Sequence, residues 1–85
     1  MRKSWHETAW DDYVAAQSQD RKTLNRINTL LKSIERNGYD AIGNVEPLRG
    51  NWSGWWSARI NEKDRLIFRI SGEILEIAAC KGHYS

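Results

Sequence analysis

Eighty-five residues, 40% hydrophobic and 28% charged, fit one small globular domain over residues 1–85 and exclude a second core. The formal net charge of +2 combines seven basic and six acidic side chains in residues 1–45 with six and five in residues 46–85, so neither half announces a nucleic-acid binder by bulk charge. No apolar run nears the ~20 residues that cross a membrane, MRKSWHETAW holds no hydrophobic signal core, and a lone Cys80 excludes an internal disulfide, so the expected location is the cytoplasm.

Ser4-Trp5 is expected as a short first strand. From Glu7 to about Gln17, Trp10, Tyr13, Val14 and the stem of Gln17 recur at helical spacing. Asp11 and Asp12 fall on the wet side, near the end where the helix dipole favours acids, and His6 belongs to the turn into this helix. Ser18 or Asp20 can cap a second helix from about Asp20 to Asn37. Its stripe, Leu24, Ile27, Leu31 and Ile34, steps by three, four and three, and Asn37-Gly38 supplies the stop.

Gly38, Gly43, Pro47 and Gly50 break any period between Tyr39 and Asn51. After that the period becomes two. Trp56, Ala58 and Ile60 alternate with Trp55, Ser57 and Arg59, and Leu66, Phe68 and Ile70 alternate with Arg65, Ile67 and Arg69. Ser71-Gly72 reads as a two-residue hairpin turn with Ile70 opposite Glu73. That register sets Phe68 across from Leu75 and Leu66 across from Ile77, and matching the preceding pair sets Ala58 across from Phe68 and Ile60 across from Leu66. The run Ile74 to Cys80 is apolar enough for Cys80 to be a buried, inert thiol. The expected fold class is α+β, with two N-terminal helices packed on a twisted, mainly antiparallel sheet. Its other face, bearing Arg59, Arg65 and Arg69 with Ile67, Glu76 and Ala78, is expected to be uncovered. The five tryptophans suit a core, an interface or a stacking platform equally.

Arg59 and Arg65 become neighbours on adjacent strands, where like charges repel unless an anion joins them. Guanidinium groups suit phosphate through a planar fork of paired donors. The other reading, which the pattern alone favours, is that each arginine is solvated or meets a carboxylate such as Glu76 or Glu46. Pro47 biases Glu46 toward an extended backbone beside Leu48-Arg49. His83, three residues from the end beside Tyr84, completes a set of carboxylate, arginines and imidazole. Cleaving RNA through its ribose 2′-hydroxyl needs a base, cations around the crowded phosphorus and an acid for the departing 5′-oxygen. Glu46, then Arg65 with Arg59 and Arg49, then His83 fit these roles, with Tyr84 placed to stack on a base or hold phosphate. His6 and His83 lie at opposite ends with no Cys/His cluster, which argues against a metal site.

The stretches W..TAWDDY, INTLLKSI, EPLRGNWSGWWSARI, EKDRLIF and AACKGHY, in this order and spacing, resemble the YoeB-type toxins, the Txe/YoeB family of the RelE superfamily. The resemblance covers nearly all 85 residues. It implies a RelE/microbial-ribonuclease fold and a ribosome-dependent mRNA endoribonuclease that cuts message in the vacant A site of the 70S ribosome. By position, Glu46 would be the general base, Arg65 the transition-state stabiliser, His83 the general acid and Tyr84 an aid at the substrate. Arg49 and Arg59 would contact phosphate, with no metal and no cofactor. Implied partners are a YefM-like antitoxin, ribosome and mRNA, and operator DNA through the antitoxin complex. A toxin homodimer is also allowed, with Trp52 or Trp55 as contacts, and no membrane is involved. Against this stands a catalytically weak module that binds ribosome or antitoxin without cutting. Four departures stand out: Arg49 for a common lysine, Ala58 for a frequent arginine, Gly82 for a bulkier residue and so a looser tail, and Ser85 beyond the usual last tyrosine.

Overall fold

Asp20 divides the helical half of the chain, ending α1 (Glu7–Gln19) and capping α2 (Arg21–Asn37). Its Oδ1 accepts from the Thr23 N–H at 3.0 Å and its Oδ2 from the Thr23 hydroxyl at 2.7 Å, filling an orphan donor of the first turn. Of the two caps the sequence offered, Asp20 is the one used. The expected α2 stripe is buried whole, and Leu30 joins it. The computed structural model describes residues 1–82.

The face of α1 differs from the expectation. It buries Ala9 and Ala16, while Trp10 and Val14 stay 46% and 44% exposed. Small residues let α1 sit close on α2 and on the last strand, a spacing that large side chains would not allow. Trp10 instead leans on Trp5 and Tyr13 outside the core, with ring centroids 5.7 and 5.8 Å away. Tyr13 alone of the expected set is half-buried against the core, its hydroxyl donating to Asn28 Oδ1 at 2.7 Å.

Five strands follow the order β1 (Arg2–Trp5), β5 (Ile74–Ala79), β4 (Arg65–Ser71), β3 (Trp56–Arg59), β2 (Glu46–Pro47). β1 runs parallel to β5 and every other pair is antiparallel, so the fold is α+β with two helices on a mixed sheet. Phe68, Leu66, Leu75 and Ile77 meet Ile27, Leu30 and Ile34 of α2 in the main core. Tyr39 closes the irregular stretch onto it, stacking on Trp56 at 4.3 Å while its hydroxyl accepts from the Ile70 N–H at 2.8 Å.

Both expected registers are displaced by two residues. The turn is Gly72-Glu73 rather than Ser71-Gly72, because Gly72 supplies φ of 61° at the turn's first position and Ser71 pairs with Ile74. Phe68 therefore faces Ile77, and Ala58 faces Leu66. A shift of two preserves alternation, so each side chain keeps its expected face. A bulge the sequence reading lacked follows: Phe68 pairs with Ile77 but Ile67 pairs with Ala79, leaving Ala78 extra. It sends Ala78 and Ala79 to the outer face and returns Cys80 to the helix side. The outer face is thus partly covered, since Leu48, Ile67, Ala78 and Ala79 form a second cluster under Trp52 and Trp55.

Gly43 packs against the main core with φ of 98°, and a Cβ there would meet Leu30 Cδ2 at 2.7 Å. Gly43→Ala is expected to cost about 2–5 kcal/mol from backbone strain and overpacking, read as a lower urea midpoint; an unchanged midpoint would refute this packing. Burial first, then the charges of Asp12 and Asp64, pushes the Cys80 thiol up to about 12 from 9.0. The folded state holds that proton while an unfolded thiol releases it, so this contribution to stability is full below pH 9 and fades as pH rises toward 12. In the native protein Cys80 is expected to resist iodoacetamide at pH 8 and to react on unfolding.

Candidate active site

The ladder places the outer-face residues in rows. Glu46 pairs with Ser57, Ser57 with Ile67 and Ile67 with Ala79, which makes one row across four strands. The adjacent row is Arg59 directly opposite Arg65. Directly paired residues share a face, and so do residues two apart on one strand, so Glu46, Arg59 and Arg65 stand on one side of the sheet. β2 is the edge strand, where Pro47 is tolerated and Glu46 is exposed. Arg49 is exposed at the bend beyond β2, just before the 3-10 turn Gly50–Trp52.

Among the described residues, Glu46, Arg49 and Arg59 side chains have no ion pair or hydrogen bond, which favours the anion reading at this end of the sheet. Arg65 is held in a different way. Its Nη1 donates to the carbonyls of Asn61 at 2.6 Å and Asp64 at 3.1 Å. These bonds orient the planar group without neutralising it, and they leave Nε and Nη2 without a hydrogen-bond partner among the described residues. Nε and Nη2 together are a fork of the kind phosphate oxygens accept. The Arg65 backbone N–H donates to Gly82 O at 2.8 Å, so the chain immediately before His83 runs beside Arg65. His83 and Tyr84 lie outside the described residues.

The other end of the face follows the carboxylate reading. Arg69 Nε donates to Glu76 Oε1 at 2.9 Å and lies over Trp55 at 4.3 Å, while His6 Nε2 meets Glu76 Oε2 at 2.8 Å. Hydrogen bonds from His6 and then Arg69 hold the Glu76 carboxyl below its usual range. His6 does stand in the turn into α1, as its N-cap residue. The rings of Trp52 and Trp55 meet edge to face at 5.9 Å over the second cluster, each partly buried. Ala58 is fully buried on the helix side, so its small side chain takes no contact from the outer face. The Gly82 N–H donates to Asp64 Oδ1 at 2.9 Å, and the tail beyond it lies outside the described residues.

A family model for the YoeB-like toxin of bacterial type II toxin-antitoxin systems matches residues 5–84. The chain belongs to the YoeB-like toxins. It is 45% identical over 84 residues to Toxin YoeB of Synechocystis sp., covering 99% of this chain and 98% of that protein. A YoeB/ParE toxin from Agrobacterium tumefaciens superposes with a TM-score of 0.94 at 36% identity, covering 99% of this chain and 100% of that one. A YoeB–YefM complex and a YoeB dimer from Staphylococcus aureus each match at a TM-score of 0.92, with 39% and 40% identity, over 99% of this chain and 98% of theirs. The residues matched by the family model include the strands that carry Glu46, Arg59 and Arg65.

Sequence reasoning missed three contributors: the apolar platform under Trp52 and Trp55, the joining of His6 to the Glu76–Arg69 pair, and Asp64. Only Asp64 had a local signal, in the spacing of Asn61 and Asp64 across a tight hairpin. Because the Glu76 carboxyl is lowered in the folded state, its contribution to stability is present above the ordinary value of 4.5 and is lost as pH falls through the folded value. Glu76→Gln is expected to flatten the acid limb of a stability-versus-pH curve; an unaltered limb would show the network to be energetically idle.

Proposed function

We propose that this YoeB-like toxin is an mRNA interferase that cuts message in the A site of the 70S ribosome and so stops translation. Glu46 takes the proton of a ribose 2′-hydroxyl, and the oxygen attacks the adjacent phosphorus. The new O2′–P bond forms as the P–O5′ bond breaks, which leaves a cyclic phosphate on one fragment. His83 gives its proton to the departing 5′-oxygen. Arg65, with Arg59 and Arg49, stabilises the negative charge that builds on phosphorus, and Tyr84 steadies the substrate. Proton transfers and charge stabilisation are all assigned to side chains, with no metal and no cofactor.

The observation that carries this reading is Glu46 on the same face as an arginine pair with no carboxylate partner among the described residues. The pair adjoins the segment that leads into His83. Two arginines paired directly across adjacent strands are an unfavourable arrangement until an anion joins them. The face is open and Glu46 is on its edge, so it offers little to order a flexible RNA strand. A ribosome that already holds the message in one conformation supplies that ordering. The same cationic face suits an acidic segment that folds on binding, as expected of a YefM-like antitoxin. The Staphylococcus aureus relatives, one complexed with YefM and one dimeric, support the same partners here. The complex with antitoxin would bind operator DNA, and the toxin would act in the cytoplasm.

RNA ends mapped in a purified translation reaction test the proposal. Wild-type protein is expected to give codon-positioned cuts in translated message. His83→Gln should slow cutting on the order of 10²- to 10⁴-fold and Arg65→Ala about 10²- to 10³-fold, with the fold retained. Ribosome binding with intact message would instead establish a non-catalytic module, and equal cutting of naked RNA would remove the ribosome from the mechanism.

A further inference from the structure

The hairpin between β3 and β4 is closed twice over. Asn61 Oδ1 accepts from the N–H groups of Lys63 and Asp64, both at 2.8 Å, and this suffices to cap the turn's amides. The Ile60 N–H also donates to Asp64 O at 3.1 Å. The Asp64 carboxylate is therefore not needed for the turn's own backbone. Its Oδ2 accepts from Asn61 Nδ2 at 3.1 Å, and its Oδ1 accepts from the N–H of Gly82, eighteen positions away.

Gly82 is bound from both sides. Its N–H goes to Asp64 and its carbonyl takes the Arg65 N–H at 2.8 Å. Its φ of 91° belongs to the region that L side chains rarely adopt, so a glycine is what this path demands. The carbonyls that aim Arg65 Nη1 belong to Asn61 and Asp64, the same two residues. One carboxylate thus links the turn that orients the guanidinium to the backbone that leads into His83.

We propose that Asp64 is a positioning residue for this toxin: it makes the Arg65 guanidinium and the stem of the C-terminal segment one hydrogen-bonded unit, fixing the origin of that segment relative to the cation. This rests on the RNA-cleavage reading above and adds to it a residue that touches neither substrate nor reacting atoms. A carboxylate suits the task because it accepts two bonds in two directions at once, each stronger for its charge. Small errors matter at such a place, since a displacement of about 1 Å between reacting groups costs on the order of 10²-fold in rate.

The test compares wild type with Asp64→Ala and Asp64→Asn in single-turnover cleavage on programmed ribosomes, alongside ribosome affinity, thermal midpoint and amide exchange at Gly82. Asp64→Ala is expected to cut on the order of 10- to 100-fold more slowly at saturating ribosome, with affinity unchanged and the Gly82 amide exchanging faster. Asp64→Asn keeps an acceptor for the Gly82 N–H and is expected to recover most of the rate and the protection. If Asp64→Ala does not fold, Asp64→Ser, too short to reach Gly82, replaces it with the same expected result. Wild-type speed in the alanine variant overturns the role, as does a loss of affinity in place of rate. It is also overturned if Asp64→Asn is equally slow while its Gly82 amide stays protected, which would make charge the cause. A wild-type chain that leaves message uncut on the ribosome overturns the cleavage reading and this role with it, and so is told apart from failure of the role alone.

Discussion

Arg59 stands opposite Arg65 because the other side of the sheet leaves it nowhere else to go. The ladder that pairs them also pairs Ala58 with Leu66 and Trp56 with Phe68, and those residues lie in the main core under α2. Burying a leucine or a phenylalanine is worth roughly 1.5–3 kcal/mol each, whereas like charges across a strand pair oppose by only about 0.2–1 kcal/mol. The hydrophobic face wins, and the register it dictates is imposed on the arginines. Two arginines are thus held in an electrostatically unfavourable pairing by packing on the reverse of the same strands. The cost stays within what a small fold tolerates, and on the proposed function a phosphate relieves it.

The outer face shows what becomes of arginines when the neighbourhood differs. Arg69 is tied to Glu76 and lies over the Trp55 ring. Arg65, on the same strand and the same face, meets carbonyl oxygens instead of a carboxylate. An ion pair would spend its charge and its fork together, while carbonyls aim the group and leave both. The bulge at Ala78 contributes to this division, since it thickens the apolar platform between the two ends of the face and returns Cys80 to the core. One strand therefore carries a quenched arginine and an available one, separated by Ile67.

Alternation of period two told which strand residues share a face, and that is why Arg59, Arg65 and Arg69 could be grouped from sequence, whereas Glu46 lay in the stretch without a period and takes its face from the β2 pairing. It could not fix the register itself, because pairings that differ by two residues give identical faces; the choice fell to Gly72 and its positive φ. The α2 stripe was legible since its leucines and isoleucines have one use. The α1 stripe misled because bulk was read as burial, whereas close packing against α2 and β5 selected Ala9 and Ala16 over Trp10 and Val14. The platform of Leu48, Ile67, Ala78 and Ala79 was invisible for a related reason. Two of its members are alanines, and its placement depends on a bulge that no local pattern marks.

The hairpin of residues 60–65 then connects these levels. Its backbone continues the register that the core dictates, and its two polar side chains convert that register into direction for a cation and for a distant stretch of chain. On the proposed function, an open sheet hosts acid–base chemistry on a bound phosphate when its cation is aimed and the C-terminal segment starts from a fixed point, and a single turn ties the Arg65 guanidinium and Gly82 together. On that function the same economy leaves the ordering of the strand to an outside scaffold, because the protein fixes only its own groups relative to one another.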